Sequence, residues 1–201
     1  MKRIFILLLS MVILAGAMAV VALASSTYVV EKGDSLWKIA TKHQIGLSEI
    51  KSANPQIKNY DLIYPGQIIN LPSRDTTADE YEREVVRLVN KERTQRGLTP
   101  LTYDWQLSRV ARYKSQDMSD KGYFSHNSPT YGTPFEMMKS FGISYRSAGE
   151  NIARGQKTPE QVVKAWMGSQ GHRANILNKS FTKIGVGYET KGNYWTQMFI
   201  S

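Results

Sequence analysis

The chain has 201 residues, no cysteine and a formal charge of +9. The lack of cysteine excludes disulfides and lipid attachment through a thiol, so a packed core must stabilise the protein. The basic residues form no dense run, which argues against nucleic acid as a partner. Two interpretations of the basic excess remain open: a solvated basic surface, or attraction to an anionic partner such as a phosphate-bearing wall polymer.

Residues 1–24 are typical of an export signal. Lys2 and Arg3 provide the positive start, an apolar run follows, and Ala22 and Ala24 supply a small-x-small cleavage site. An apolar run of about 20 residues is also long enough to span a bilayer. An uncleaved membrane anchor is therefore the alternative, and membrane contact is expected only in that case.

Residues 27–72 combine strand and helix patterns in a short unit. Residues 28–32 alternate like a strand, a turn follows at Gly33, and residues 36–40 have helical spacing. A second short amphipathic segment, an Asn-Pro turn and a closing apolar run at 62–72 complete it. The whole unit resembles a LysM module, a strand-helix-helix-strand fold that binds N-acetylglucosamine polymers such as peptidoglycan and chitin.

This resemblance implies that two loops of the module contact the sugar. Backbone amides and carbonyls there would bond the N-acetyl group, while apolar side chains would cover its methyl and ring face. The implied glycan-binding residues are Gly33, Asp34, Ser35, Leu36, Ile57, Leu62 and Ile63. Leu36 and Ile63 suit the core of the module equally well, and Trp37 is expected to be buried.

A short linker and a series of helices follow the module. Residues 73–78 lack a large apolar side chain and are interpreted as the linker. The capping-box pattern at 77–80 predicts a helix start, so we place the second domain at 79–201. Further helix starts are predicted at Asp104, Thr133 and Thr158, and Gly122 is expected to end the helix that begins near Asp104.

The pattern changes to strands near the end of the chain. Residues 184–188 alternate between apolar and small or polar side chains, and 194–200 form a second apolar run. Residues 190–193 between them suit a hairpin turn. Helices followed by strands, with short connections, predict a layered α+β domain.

Five phrases of this second domain occur in a recognisable order. They are Asn-Lys-Glu-Arg at 90–93, Phe-Ser-His at 124–126, Gly-Glu-Asn-Ile-Ala at 149–153, Gly-His-Arg-Ala-Asn-Ile-Leu at 171–177, and Tyr-Trp-Thr-Gln at 194–197. Together they resemble the CAP superfamily, also called SCP-like or PR-1-like, whose fold is an α-β-α sandwich. The fold class expected for the chain is therefore α+β, a small βααβ module followed by an α-β-α sandwich.

The CAP resemblance also implies a cleft that gathers two histidines and two acids: His126, Glu136, Glu150 and His172. Three interpretations stay open. His126, His172 and Glu150 would hold a divalent metal such as zinc, a carboxylate would orient a histidine as a general base, or the groups would satisfy one another and shape a binding surface. Glu136 also suits a capping box with Thr133, and His172 suits the carbonyls that end the fourth helix.

No catalytic motif of a familiar hydrolase is present. The chain has no Gly-x-Ser-x-Gly, no His-Glu-x-x-His and no cysteine nucleophile. We therefore expect a secreted bacterial protein, associated with the cell wall or a spore envelope, in which LysM binds peptidoglycan and the CAP domain is a non-enzymatic ligand- or partner-binding module. The alternative is a wall-directed hydrolase, either a peptidase or a glycan hydrolase, that uses the His/Glu cleft.

Overall fold

The structure, a computed structural model, describes residues 26–73 and 75–201. The export signal predicted at 1–24 lies outside the described residues. The elements in chain order are β1 (Ser26–Val29), α1 (Leu36–Lys42), α2 (Leu47–Ser52), β2 (Ile68–Leu71), α3 (Thr76–Thr94), β3 (Thr102–Tyr103), α4 (Trp105–Lys121), α5 (Pro134–Ser140), β4 (Ala148–Arg154), α6 (Pro159–Gly168), α7 (Gln170–Ile176), β5 (Lys183–Glu189) and β6 (Tyr194–Ile200).

The first four elements form the expected βααβ module. Strands β1 and β2 pair antiparallel, with Tyr28 opposite Ile69. The Ser35 hydroxyl accepts a hydrogen bond from the Lys38 amide and starts α1. The apolar side chains of both helices and of β2 then pack into one small core that contains Ile39, Ile50 and Ile69. The predicted fold of this module is confirmed.

The start of the second domain differs from the prediction. Helix α3 begins at Thr76, because the Asp75 carboxylate accepts hydrogen bonds from the amides of Thr77 and Ala78 at 2.9 and 3.2 Å. The capping box predicted at 77–80 is therefore wrong, and the connection is shorter than the predicted linker at 73–78. An aspartate is the stronger cap here because its charge also favours the helix N-terminus.

The other predicted helix boundaries are confirmed. Asp104 caps α4 by accepting from two amides, and Gly122 ends it in the left-handed conformation with φ +67°. Thr133 and Thr158 cap α5 and α6, each with a proline in the first turn. These boundaries were predictable because the capping side chains act within a few residues of the sequence.

The second domain is a three-layer sandwich around a four-stranded sheet of order β3-β5-β6-β4. Strands β5 and β6 form the predicted antiparallel hairpin, and β4 pairs antiparallel with β6 at the edge. Helix α4 packs on one face of the sheet, while α3 packs on β5 and against α6 on the other. Two apolar clusters result, one on each face. The predicted α-β-α architecture is confirmed.

Two glycines of β5 allow α4 to lie directly on the sheet. A Cβ at Gly187 would collide with the backbone of Ala111 and Arg112, and one at Gly185 would collide with the backbone of Leu107 and Ser108. The alternation of β5 therefore has a packing cause. Its large side chains face α3 and α6, and its glycines face α4.

Four features were not foreseen: strands β3 and β4, helix α7 and the exposure of Trp37. Strand β4 and helix α7 were not predicted, and His172 lies in the first turn of α7 rather than at the end of the preceding helix. Strand β4 lacks the β-branched run that marks a strand from sequence, and pairing with β6 determines its conformation. Trp37, expected in the core, is 62% exposed.

Within the described residues, no helix has the length and apolar character needed to cross a membrane.

Candidate functional site

The centre of the CAP site is a contact between His126 and Glu150. His126 lies in the loop after α4, and Glu150 lies on β4. Nδ1 of the imidazole is 2.7 Å from Oε1 of the carboxylate. The Glu150 side chain is buried with 2% exposure, whereas the His126 ring is 52% exposed. The sheet thus holds a buried acid behind an imidazole that faces solvent, and two of the four predicted cleft residues meet directly.

This contact defines the hydrogen-bonding role of the imidazole. A carboxylate can only accept, so Nδ1 carries the proton of this contact, and in the neutral imidazole Nε2 is left as an acceptor. The second oxygen of Glu150, Oε2, is buried and has no partner in the described residues. A buried polar atom without a partner favours a ligand or water with a proton to donate.

Helix α4 anchors the loop that carries His126. The Lys114 ammonium, fully buried, donates to the His126 carbonyl at 2.6 Å. The Asp117 carboxylate accepts from the hydroxyls of Ser128 at 2.7 Å and Tyr123 at 2.6 Å, and also from Thr130. Burial would raise the pKa of Asp117, but these hydroxyl donors lower it below its ordinary value. The carboxylate therefore stays ionised and holds both ends of the loop.

His172 approaches the pair from α7. Burial lowers the pKa of His172, and the positive charge that His126 can carry lowers it further. The neutral form of His172 is therefore favoured. Burial also lowers the pKa of Lys114, while Glu150 and Asp117 oppose that shift.

Three amide side chains connect the strands and helix that carry these groups. Nδ2 of Asn175 donates to Oδ1 of Asn151 at 2.9 Å and to the carbonyl of Glu150 at 3.2 Å. Nδ2 of Asn151 donates to Oε1 of Gln197 and to the carbonyl of His172, both at 3.0 Å. Each amide belongs to one of the motif phrases, but the sequence indicated no role for it. The structure shows that the network positions Glu150 and His172.

Glu136 is engaged elsewhere. Its carboxylate accepts from the Thr133 amide at 2.7 Å and the Thr133 hydroxyl at 2.9 Å, and its own amide donates back to that hydroxyl. This is the capping-box interpretation raised from the sequence. These hydrogen bonds, first of all the one from the Thr133 amide, lower the pKa of the exposed Glu136 carboxylate. The contacts of Glu136 therefore start α5 and do not link it to His126.

The donor set does not fit a metal ion. Across residues 26–73 and 75–201, no three His, Asp or Glu side chains come together in a way that could hold one. This includes the ligands hypothesised for zinc, which are His126, His172 and Glu150. In addition, Nδ1 of His126 is already paired with Glu150. Zinc in proteins needs three or four such donors.

The LysM module presents a separate groove of about 180 Å³. Four predicted glycan-binding residues line it: Asp34, Ser35, Leu36 and Ile63. Gly33 lies in the adjacent turn with φ +91°, Ile57 is buried in the core of the module, and Leu62 is exposed. The structure thus brings together the residues of the first loop and one residue of the second.

Other groove residues were missed from the sequence. They are Trp37, Leu47, Lys51, Tyr60 and Asp61. Trp37 follows the buried Leu36 in α1, and the helical turn directs it outward. The helical spacing of Leu36, Ile39 and Ala40 already placed Trp37 off the buried face, so the signal was present. The groove therefore combines aromatic side chains with charged groups of both signs.

The chain thus joins a βααβ module with an aromatic groove to a three-layer sandwich that carries the His126–Glu150 pair. The family model "Cysteine-rich secretory protein family" (CAP) matches residues 86–199, and the LysM domain model matches residues 28–72. The chain belongs to the CAP family, although it contains no cysteine. It joins this domain to a LysM domain, a peptidoglycan-binding module.

Relatives are similar over parts of the chain. The uncharacterized protein YkwD of Bacillus subtilis is 65% identical over 128 residues, which are 64% of this chain and 50% of that protein. A crystal structure of an extracellular protein containing a SCP domain from Bacillus anthracis has a TM-score of 0.60 and 34% identity, and covers 68% of this chain and 47% of that one. The probable autolysin LDP of Staphylococcus aureus is 46% identical over 46 residues, 23% of this chain and 16% of that protein. The chain spans about half the length of the two curated relatives that match most of its residues.

Proposed function

We propose that this protein is exported and docks on peptidoglycan through the LysM groove, while its CAP domain binds a ligand or partner at the His126–Glu150 cleft without catalysing a reaction. The observation that carries the docking role is Trp37, 62% exposed at the wall of the groove. An N-acetylhexosamine ring has an apolar C–H face and a polar rim. Trp37 and Tyr60 suit that face, and Asp34 and Asp61 suit the rim.

Export is proposed on two grounds. Residues 1–24 have the composition of a signal peptide, and the similar Bacillus anthracis protein is described as extracellular. The similar Staphylococcus aureus protein is described as a probable autolysin, which supports the cell wall as the site of action. The basic excess of the chain favours an additional attraction to anionic wall polymers.

The docking role is tested by sedimentation with purified insoluble peptidoglycan. Trp37→Ala is expected to weaken binding about tenfold, because an aromatic contact in a desolvated groove contributes on the order of 1–2 kcal/mol. Tyr64→Ala is the matched control, since Tyr64 is 60% exposed in the same module but does not line the groove. Equal binding of wild type and Trp37→Ala would contradict docking in this groove.

Salt separates the electrostatic contribution from the groove. Walls that retain phosphate-bearing polymers should bind more protein than stripped peptidoglycan at low ionic strength. That difference should vanish at high salt, since about 1 M salt reduces the screening length to about 3 Å. A difference that is independent of salt would contradict attraction to anionic polymers.

Binding rather than catalysis is supported by what surrounds His126. Glu136, the second acid expected in the cleft, is used as a helix cap and is not part of the His126–Glu150 contact. The half-exposed His126 imidazole, with the unpartnered Oε2 of Glu150 buried behind it, is suited to hold a polar ligand.

A wall hydrolase is the second candidate, favoured by the 2.7 Å contact of His126 and Glu150. A carboxylate that orients an imidazole makes Nε2 a candidate general base for water. Incubation of purified sacculi with wild type and with a His126→Ala/Glu150→Ala variant separates the two. Release of soluble fragments by wild type alone would establish hydrolysis and overturn the non-enzymatic proposal. Release by neither protein supports binding.

A further inference from the structure

A second groove lies where the LysM module meets the CAP domain. Its volume is about 340 Å³, and it is lined by Leu47 and Ser48 at the start of α2, Arg109 on α4, and Ser140 and Phe141 at the end of α5. Leu47 also lines the sugar groove described above. The two grooves therefore share a wall and adjoin along the surface.

An ion pair holds the two sides of this second groove together. Nε and Nη2 of Arg109 donate to the two carboxylate oxygens of Glu49 at 2.5 and 2.8 Å, and Nη2 also donates to the Ser48 hydroxyl at 2.8 Å. The Arg109 and Glu49 side chains are 19% and 26% exposed. A two-point contact of this kind sets an orientation as well as a distance, because the planar groups must align.

The lining of the second groove resembles that of the first in chemistry. The Arg109 guanidinium lies 5.1 Å from the centre of the Phe141 ring, so an aromatic ring and a cation share one wall. Ser48 and Ser140 supply hydroxyls on opposite sides. The Ser140 hydroxyl donates to the Met137 carbonyl and keeps its lone pairs as acceptors. An apolar ring with hydroxyls and a guanidinium beside it suits a second pyranose with its N-acetyl group.

The sugar groove of the LysM module is small for a glycan-binding site. At about 180 Å³ it is smaller than the roughly 300–1,000 Å³ typical of small-molecule sites. It suits a short piece of a chain, and the polymer must continue beyond it. The groove built with the CAP domain shares Leu47 with the sugar groove and therefore offers a surface for that continuation.

We propose that a linear N-acetylhexosamine chain seated in the LysM groove continues past Leu47 into the groove of Ser48, Arg109, Ser140 and Phe141, so that both domains bind one glycan. This inference rests on the docking function proposed above. The CAP domain then takes part in glycan binding and selects long chains over short ones.

The test is isothermal titration of the full chain without residues 1–24, using N-acetylglucosamine trimer and octamer. Ser140→Trp fills the second groove from an exposed position at the end of α5. The matched control is Ser180→Trp, an exposed serine of the CAP domain that lines neither groove. Melting curves of both variants confirm that each remains folded.

Wild type and Ser180→Trp are expected to bind the octamer about tenfold more tightly than Ser140→Trp does, a difference of about 1.4 kcal/mol. All three should bind the trimer equally. A longer chain also offers more registers to a single groove, but that statistical gain persists in every variant and cancels in this comparison. Glu49→Ala, which breaks the ion pair between the domains, should reduce octamer binding as Ser140→Trp does.

Each outcome is decisive. Equal octamer binding by Ser140→Trp and Ser180→Trp, with the trimer still bound, overturns the inference and leaves LysM docking intact. Failure of wild type to bind the trimer overturns the docking function itself. Loss of trimer binding in Ser140→Trp, although the variant is folded, overturns the separation of the two grooves.

Discussion

Gly187→Ala tests the reasoning about how α4 is held on the sheet. The added methyl group would be placed against the backbone of Ala111 and Arg112. The φ of Gly187 is not in the left-handed region, so the effect is steric and not conformational. Since α4 carries Lys114 and Asp117, a displaced α4 also moves the loop of His126.

The magnitude follows from two opposing effects. Overpacking a close-packed site costs about 1–3 kcal/mol, and the upper end applies because helix backbone cannot rotate out of the way. Replacing glycine by alanine restricts the unfolded chain, which returns about 0.4–1 kcal/mol. The free energy of unfolding should therefore fall by about 2 kcal/mol. For a chain of this size that lowers Tm by about 4–8 °C.

The assay is denaturant unfolding followed by tryptophan fluorescence. Trp166 and Trp195 are buried in the CAP domain and report its unfolding. Gly168→Ala is the matched control, because a Cβ at this last residue of α6 meets nothing within 4 Å. It should be neutral or slightly stabilising. If Gly187→Ala is as stable as Gly168→Ala, then the inference that α4 lies too close to β5 for a methyl group at position 187 is wrong.

Three further predictions concern the cleft. His126→Ala should lower the free energy of unfolding by about 1 kcal/mol. This is the low end of the cost of leaving a buried acceptor without its partner, because water can replace the half-exposed ring beside Glu150. Asp117→Ala should cost about 2 kcal/mol, because Ser128 and two other hydroxyls lose their acceptor, and should change the NMR signals of His126. Burial, and then the charge of His126, lower the pKa of His172 below its ordinary 6.5. The stability that neutral His172 contributes is therefore present above pH 6.5 and is lost as the pH falls through the pKa of His172 in the folded protein. Wild type should accordingly lose more stability than His172→Gln between about pH 7 and pH 5.

The first two of these predictions each have a control on a neighbouring exposed residue. Asn127→Ala, next to His126, and Asp120→Ala, on the same helix as Asp117, should leave the denaturant midpoint unchanged within about 0.5 kcal/mol. An equal effect of Asp120→Ala and Asp117→Ala would show that the loop anchor is not specific. An NMR titration that places the midpoint of His172 at or above 6.5 would contradict the assigned environment.

Local signals predicted much of the fold. Asp104, Thr133 and Thr158 were recognised as helix caps because a capping side chain reaches amides only two or three residues away. The β5–β6 hairpin was recognised because its alternation and its turn occupy neighbouring positions. The start of α3 was predicted incorrectly because Asp75 and Thr77 are both good caps. Two caps of similar energy lie two residues apart, so the local sequence does not decide between them.

The site was predictable only in outline. The CAP resemblance implied a group of four residues without stating which of them meet, and the 2.7 Å contact of His126 with Glu150 comes from the structure. The amide network of Asn151, Asn175 and Gln197 was not foreseen, because its members are distant in sequence and each amide is compatible with many partners. Trp37 was assigned to the core by residue type, although the spacing of its neighbours placed it on the outer face of α1.

The amino-acid sequence by itself determined the order of the two domains, most helix boundaries and the residue types available for binding, since these depend on interactions within a few positions. The tertiary structure alone decided that Glu150 lies buried behind His126 and that Arg109 reaches Glu49 across the two domains. Such contacts join residues about 60 positions apart in the case of Arg109. Their geometry is set by how whole layers pack, because a side chain meets a distant partner only after sheet and helices have fixed the positions of both backbones.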